Sequence, residues 1–287
     1  MNKYLSLIKF SHSIFAMPFA LIGFFLATAT YEFKWISLLY VVLCMLFARS
    51  AAMAFNRYID RDIDLENPRT ATVREIPNGT ISAKNALLFV ILNSLLFFAT
   101  TSFLNSLCFV LSPLALLIIL GYSYTKRFTA LCHLVLGLGL SLAPLGAYLA
   151  VSGKFDFLPI LFSVAVLFWV SGFDIIYALQ DEEFDKAQKL HSIPVLIGTK
   201  KAMQLSNFLH FGTTLALVFA GIKGEFDFYY WIGFCIFSTL LLYQHTLVKE
   251  NDLEKVNLAF FTTNGIASVI FSAFVIADIV LKHLCPI

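Results

Sequence analysis

The sequence has little charge and none of the cysteine patterns of a metal-binding or disulfide-linked domain. Only 13% of its 287 residues are charged, whereas a soluble domain has about 25%. The 5 cysteines stand singly, without CxxC or Cys/His ligand spacing, so we predict neither a zinc site nor a redox pair. The net charge of +2 and the lack of a basic run with interleaved aromatic residues argue against a nucleic-acid partner.

Apolar residues are what the sequence has in excess. They make up 59% of the chain, against about 45–50% in a soluble domain. A single water-soluble core has too little interior to bury them. The composition therefore predicts an all-α polytopic membrane protein embedded in the lipid bilayer.

The apolar residues fall into nine segments that each reach the roughly 20 residues of a membrane span. These segments are 10–30, 35–55, 85–103, 105–122, 131–151, 157–178, 202–222, 228–248 and 258–281. No linker or shift in composition divides the chain. We therefore predict one domain over residues 1–287, a single bundle of nine transmembrane helices.

The first apolar segment has features of both a span and a signal peptide. Lys3 and Lys9 precede it, and Ala27-Thr28-Ala29 resembles a cleavage site. Its length favours an uncleaved first span, with a cleaved signal peptide as the alternative.

The distribution of lysine and arginine predicts the orientation in the membrane. With a cytoplasmic N-terminus and nine spans, sixteen of the 20 basic residues lie on the cytoplasmic side. The four on the other side are Lys34, Lys154, Lys223 and Lys282. This bias follows the positive-inside rule. It predicts an integral protein of the bacterial cytoplasmic membrane, with its C-terminus outside.

The first long polar stretch begins where the second span ends. Asn56, Asp60 and Asp64 recur every four residues, so on a helix they share one face. Arg49 lies seven residues before Asn56 and belongs to the same stripe, deeper in the span.

The second long polar stretch follows the sixth span. Asp181 and Asp185 share a helix face with Asp174, and Tyr177 lies beside them. The predicted topology places both aspartate-rich loops on the cytoplasmic side.

Paired carboxylates at the end of a span indicate a cation site. Adjacent carboxylates repel one another and are costly near hydrocarbon, and a divalent cation relieves both effects. Mg²⁺ takes hard oxygen ligands, usually one or two carboxylates together with substrate phosphates. Two facing carboxylate pairs therefore predict an Mg²⁺-diphosphate site. The alternative is an acidic interface that is merely solvated.

These motifs resemble those of the UbiA superfamily of intramembrane aromatic prenyltransferases. The NxxxDxxxD motif of that superfamily stands here as Asn56, Asp60 and Asp64, and its DxxxD motif stands as Asp181 and Asp185. Other matching stretches are Arg69-Thr70 and Tyr124-Thr125-Lys126-Arg127. The resemblance covers nearly the whole chain and includes the count of nine helices.

The resemblance implies roles for these residues. It implies that the asparagine and the four aspartates of the two motifs bind Mg²⁺ and diphosphate. Lys126 matches the family's diphosphate-contacting lysine, and we expect Arg127 and Tyr124 beside it at the donor site. Arg61, Arg69 and Arg74 are candidates for clamping phosphate, because arginine makes bidentate phosphate contacts. For each of these basic residues, membrane anchoring is the alternative.

Three residues further inside the spans are candidates for the acceptor site. A charge within a span is costly, so Arg49 either meets an anionic substrate or pairs with a carboxylate such as Asp174. Asp174 and Tyr177 are candidates for orienting or deprotonating a phenolic acceptor, with a structural hydrogen bond as the alternative. His133 stands without ligand spacing, and we assign it no function.

The resemblance implies transfer of a polyprenyl group from polyprenyl diphosphate to a ring carbon of an aromatic hydroxy acid. Two acceptors belonging to ubiquinone and menaquinone biosynthesis remain open, 4-hydroxybenzoate and dihydroxynaphthoate. The first group usually has Asp after the motif's Asn, where this chain has Arg57. We therefore favour dihydroxynaphthoate. The alternative from a different class is an intramembrane cation- or proton-coupled transporter.

Overall fold

The computed structural model describes residues 2–8, 15–250 and 252–284 of the chain. The described residues form helices and no β-strand. The helices are α1 (Asn2–Leu7), α2 (Met17–Thr28), α3 (Trp35–Ile59), α4 (Arg61–Glu66), α5 (Ala83–Ser102), α6 (Ser106–Thr125), α7 (Cys132–Ser152), α8 (Phe157–Ala178), α9 (Glu182–Ala187), α10 (Ile193–Ile197), α11 (Thr199–Lys223), α12 (Phe228–Leu247) and α13 (Asn264–Leu284). A 3₁₀ turn (Leu179–Asp181) joins α8 to α9, and a π-helical turn (Leu258–Thr263) precedes α13.

Seven of the described helical segments are long and apolar enough to cross a membrane. They are α3, α5, α6, α7, α8 with its continuation to Ala187, α11, and α13 with the π-helical turn before it. Two of the nine predicted spans are not among these seven segments. Only Met17–Thr28 of segment 10–30 forms a described helix, and residues 10–14 lie outside the described part. Helix α12 has 20 residues, but its tyrosines, Gln244 and His245 make it less apolar. The count of nine therefore stays a prediction.

Polar residues fix where several spans begin. Ser82, Asn105 and Asp156 precede α5, α6 and α8, and their side chains accept hydrogen bonds from backbone N–H groups of the first turn. Such caps satisfy donors that a helix start otherwise leaves unpaired. The Asn105 amide also donates to the Leu149 carbonyl at 2.8 Å, which ties the start of α6 to the end of α7.

The long helices pack side by side in one bundle. Neighbours follow the order α3, α5, α6, α7, α8, α11, α12 and α13, and α2 contacts both ends of this series, α3 and α13, as well as α7 and α8. One half of the bundle is filled by a buried aromatic cluster. Its largest fully buried members are Phe19, Phe162, Trp169, Tyr230, Phe237 and Phe271. The other half, around α3, α6 and α7, encloses a cavity.

Helices α2 and α7 pack closely against each other. A Cβ atom placed on Gly23 of α2 would lie 1.9 Å from the carbonyl oxygen of Pro144 on α7. Only glycine therefore fits at this crossing, as in other membrane helix pairs that meet through small residues.

Candidate active site

A cavity of about 620 Å³ lies among α3, α6 and α7. At one end its walls include Asn56, Asp60 and Lys126, where α3 and α6 finish. At the other end they include Val41 of α3 and Ala150 of α7, and the walls between are mostly apolar. The distance from Val41 to Asp60 along α3 is about 28 Å, at about 1.5 Å per residue. The cavity is therefore long, with a polar mouth and an apolar interior.

The first aspartate motif lies at this mouth. Asn56 is in the last turn of α3, Asp60 separates α3 from α4, and Asp64 lies within α4. The Asn56 amide donates to Asp60 Oδ2 at 3.1 Å. Asp60 and Asp64 are only 2% and 3% exposed, so their charges need partners. Asp60 lines the cavity, whereas Asp64 lies behind the wall.

Basic residues supply these partners. Lys126 Nζ lies 2.7 Å from Asp60 Oδ2, and Arg127 Nη2 lies 3.5 Å from Asp60 Oδ1. Arg74 pairs with Asp64. Lys126, Arg127 and Arg74, which the sequence analysis linked to phosphate binding, therefore lie beside the first motif. An anionic ligand arriving here would meet three cations already in place.

The second aspartate motif is held by Arg69. The guanidinium contacts both oxygens of Asp181, with Nε 3.1 Å from Oδ1, and Nη1 donates to the Tyr177 hydroxyl at 3.0 Å. The Asn67 amide also donates to Asp181, at 3.1 Å. Burial by itself lowers the pKa of Arg69, but hydrogen bonds and the charge of Asp181 outweigh it and raise that pKa above its usual value.

The two motifs meet across one mouth. Asn56, Asp60, Asp181 and Asp185 all line the same cavity, as the sequence predicted for two clusters on one side. Within the described part of the chain, no three His, Cys, Asp or Glu side chains form a metal-binding group by themselves. This arrangement fits Mg²⁺, which takes one or two carboxylates and completes its shell with substrate phosphates and water. Asp60 Oδ1 is buried and accepts no hydrogen bond, with Arg127 as its cationic neighbour at 3.5 Å, so its lone pairs are not used in a hydrogen bond.

Two arginines of α3 lie in the cavity wall, Arg57 within the first motif and Arg49 deeper in the helix. Arg49 and Arg57 line the cavity, and the Nε of each is buried without a hydrogen-bond partner. Arg57 Nη1 donates to Asn56 at 3.3 Å. Arg49 has no ion pair within the described residues, because Asp174 pairs with His133 instead. The proposed Arg49–Asp174 pair is therefore absent, and the Arg49 charge is available to an anion inside the cavity.

The aromatic wall on the other side of the mouth comes from α8 and the π-helical turn. Tyr177 and Phe260 have ring centroids 4.3 Å apart, and Phe173 and Phe260 are 5.2 Å apart. All three residues line the cavity, together with Tyr122 of α6. Sequence reasoning did not single out Tyr122 or Phe260, because single aromatic residues in apolar spans carry no distinguishing spacing.

Of the predicted donor-site residues, only Lys126 and Arg74 line the cavity. Arg69 and Arg127 contact cavity aspartates from behind the wall, and two others point elsewhere. Tyr124 is 45% exposed and packs against Phe55, with ring centroids 5.8 Å apart. Arg61 donates to the Tyr58 carbonyl at 2.7 Å and stacks over the Tyr58 ring. Tyr124 and Arg61 each adjoin in sequence a residue that lines the cavity. Their own side chains point elsewhere, because neighbouring residues on a helix face different directions.

A model of the UbiA prenyltransferase family matches residues 16–266 of the chain. The 4-hydroxybenzoate octaprenyltransferase of Francisella tularensis is 32% identical over 238 residues, which cover 82% of this chain and 81% of that protein. The protein of the same name from Tolumonas auensis is 31% identical and covers 80% and 79% respectively.

Solved structures have the same fold. The apo structure of a UbiA homolog from Aeropyrum pernix K1 has a TM-score of 0.80 and 30% sequence identity, over 95% of this chain and 98% of that one. A UbiA homolog from Archaeoglobus fulgidus, solved with DMAPP and Mg²⁺, has a TM-score of 0.75 and 23% identity, over 97% and 99%. The family model and the relatives at 30% identity or more confirm the resemblance to the UbiA family.

Proposed function

Because the chain belongs to the UbiA prenyltransferase family, we propose that it is an Mg²⁺-dependent aromatic polyprenyltransferase. It transfers a polyprenyl group from polyprenyl diphosphate to a ring carbon of an aromatic hydroxy acid. The observation that carries this proposal is the meeting of two aspartate motifs and their basic partners at the mouth of a long apolar cavity. A diphosphate head and a polyprenyl tail need those two environments side by side.

The donor binds with its diphosphate at the mouth and its tail between α3, α6 and α7. Four basic side chains turn from their carboxylates towards the phosphate oxygens; they are Lys126, Arg127, Arg69 and Arg74. Asn56, Asp60, Asp181 and Asp185, which line the mouth, would hold the metal, and Asp64 would join them on turning from Arg74 into the cavity. When bound, Mg²⁺ supplies neutralisation of the charge that develops on the leaving diphosphate.

The aromatic wall faces the carbon that loses the diphosphate. The rings of Phe173, Tyr177 and Phe260 stabilise an allylic cation through their electron-rich faces. The apolar cavity keeps water from capturing the cation before the acceptor does. The ring carbon beside the acceptor hydroxyl then forms the new C–C bond, and loss of its proton restores aromaticity.

Arg49 is the candidate for holding the acceptor carboxylate. It lies on the face of α3 that carries Asn56, further from the mouth, and has no competing protein carboxylate within the described residues. A charge-assisted pair with the acceptor would place the aromatic ring between Arg49 and the departing diphosphate.

The names of the relatives support 4-hydroxybenzoate as the acceptor. They lend no support to the preference for dihydroxynaphthoate. That acceptor stays the second candidate because of Arg57, which stands where the 4-hydroxybenzoate group usually has Asp and is buried beside Asn56. Both acceptors carry a carboxylate and a hydroxyl, so the same site chemistry serves either one.

The membrane arrangement is part of the proposal. We place the protein in the bacterial cytoplasmic membrane with nine spans, a cytoplasmic N-terminus and the aspartate-rich loops on the cytoplasmic side. Helices α2 and α12 supply the two spans beyond the seven long apolar segments. The transporter alternative has no support from the family match or the relatives' names.

A membrane assay decides between the two acceptors. Purified protein in lipid vesicles receives Mg²⁺, one long-chain polyprenyl diphosphate, and either 4-hydroxybenzoate or dihydroxynaphthoate. We expect a C-prenylated product from 4-hydroxybenzoate. A product from dihydroxynaphthoate alone would assign the second acceptor, and no product from either would refute aromatic prenyl transfer.

A further inference from the structure

A buried histidine makes two hydrogen bonds beside the proposed acceptor site. His133, the second residue of α7, is 3% exposed and lines the cavity. Its Nδ1 lies 2.7 Å from Asp174 Oδ2 on α8. Its Nε2 lies 3.3 Å from the backbone nitrogen of Ile193, at the start of α10. The imidazole therefore joins three helices at the cavity wall.

These two contacts fix the proton on the ring. A backbone N–H can only donate, so His133 Nε2 accepts and carries the lone pair. The hydrogen of the neutral imidazole then sits on Nδ1 and is donated to the Asp174 carboxylate. A second proton could bind Nε2 only by displacing the Ile193 N–H. His133 therefore donates a hydrogen bond to Asp174.

The donated hydrogen bond leaves one oxygen of Asp174 unused. The carboxylate is 22% exposed at its side chain and lines the cavity. Oδ2 meets His133, and no hydrogen bond to Oδ1 occurs among the described residues. Arg49 and Tyr122 line the same cavity. Asp174 is held by one oxygen and presents the other towards the space proposed for the acceptor.

We infer that His133 is a positioning residue that holds the Asp174 carboxylate so that its free oxygen takes the proton of the acceptor hydroxyl. This inference rests on the proposed function. Proton transfer to Asp174 leaves a phenolate, whose electrons reach the adjacent ring carbon. The C–O bond of the donor breaks and the diphosphate leaves with both electrons, and the activated ring carbon then forms the bond to the allylic cation.

Two further proton transfers complete the reaction. The ring carbon that formed the new bond loses its hydrogen as a proton to the released diphosphate. The electron pair of that C–H bond restores the aromatic ring, and Asp174 returns its proton to the acceptor oxygen. Asp174 is therefore unchanged after each turnover, and no oxidant or reductant is needed.

Three variants of the full-length protein test the role of His133. His133→Leu removes both hydrogen bonds, and Asp174→Asn removes the proton-accepting charge. His133→Gln keeps one amide N–H for Asp174 and one carbonyl for the Ile193 N–H. We expect Asp174→Asn to lower kcat by at least about 100-fold, the usual size of a general-base contribution. His133→Leu should approach this loss, whereas His133→Gln should stay within about tenfold of the wild type.

Non-additivity separates positioning from a structural role. Because His133 acts through Asp174, the double variant His133→Leu with Asp174→Asn should be no slower than Asp174→Asn alone. Losses that multiply in the double variant would overturn the inference. If His133→Leu fails to fold, His133→Gln decides, since a His133→Gln enzyme as slow as Asp174→Asn would show that the two hydrogen bonds do not suffice.

A more acidic acceptor gives a second readout. Ring fluorination lowers the pKa of the acceptor hydroxyl, so less help is needed to remove its proton. The rate ratio of wild type to Asp174→Asn, and of wild type to His133→Leu, should shrink with the fluorinated acceptor. Unchanged ratios would overturn the proton-transfer role. If the wild type prenylates no aromatic acceptor at all, the failure lies with the proposed function.

Discussion

Asp60 and Asp181 are the carboxylates on which the candidate metal site depends most. Each lies at the cavity mouth and is paired with a cation, Lys126 for Asp60 and Arg69 for Asp181. The aspartate spacing made both residues predictable from the sequence. Their cationic partners were predictable as a group, but the pairing was not, because it joins residues from separate loops.

Replacing either aspartate with asparagine keeps its volume and removes its charge. We predict that Asp60→Asn and Asp181→Asn each lower kcat at least about 100-fold, because metal stabilisation of a leaving group is worth several kcal/mol. The matched control is Asp62→Asn, whose side chain is 79% exposed. Prenylation rates in vesicles check this, with melting temperatures to confirm folding. Near-wild-type rates in either variant would contradict a metal site formed by the two aspartate motifs.

Arg49 lines the cavity and makes no ion pair within the part of the chain that the structure describes. We predict that Arg49→Ala raises the acceptor KM far more than the donor KM. The loss should be about 2–3 kcal/mol, as for one partner of a charged hydrogen bond. Arg61→Ala is the control, because Arg61 carries the same charge outside the cavity. A defect confined to the donor KM would instead assign Arg49 to the diphosphate.

The long helices were predictable because a span needs a continuous apolar run. Segment 157–178 coincides with α8, and segment 131–151 differs from α7 by one residue at each end. The short helices α4, α9 and α10 were not predictable. Each has six residues or fewer, and helices this short depend on tertiary contacts for their stability.

Contacts between distant elements also escaped prediction. His133 and Asp174 are separated by 41 residues, so no local spacing indicates that they meet. The cavity has the same origin, since it arises where α3, α6 and α7 fail to fill the space between them. Sequence periodicity assigns residues to helix faces but does not state which faces leave a void.

The crossing of α2 and α7 is the element contact most sensitive to side-chain size. We predict that Gly23→Ala destabilises the protein by about 1–3 kcal/mol, because the added methyl group overlaps the Pro144 carbonyl. Gly146→Ala on α7 is the control, since no atom lies within 4 Å of its added Cβ. Unfolding in detergent measures both. A Gly23→Ala protein as stable as Gly146→Ala would contradict the close crossing.

At the scale of the whole molecule, the site lies at one end of the bundle. The loop containing Asn78 is exposed at this end, and Glu32, between α2 and α3, is exposed at the opposite end. Cys285, a natural probe of the predicted outer C-terminus, lies outside the described residues. Introduced cysteines at the two exposed positions therefore test the orientation.

With native cysteines replaced by alanine, Glu32→Cys should react with an impermeant thiol reagent added to intact cells. Asn78→Cys should react only after permeabilisation, because the positive-inside bias places the site in the cytoplasm. The opposite labelling pattern would reverse the orientation. Labelling of both positions from outside would instead contradict the separation of the two ends by a membrane.

The most direct test of prenyl transfer follows both products of one reaction. Wild-type protein in vesicles receives polyprenyl diphosphate, the aromatic acceptor and Mg²⁺, and released diphosphate and prenylated acceptor are measured together. We predict equal amounts of the two, a complete stop with EDTA, and recovery when excess Mg²⁺ is added. Prenylation that continues at full rate in EDTA, or diphosphate release without a C-prenylated product, would contradict the proposed enzyme.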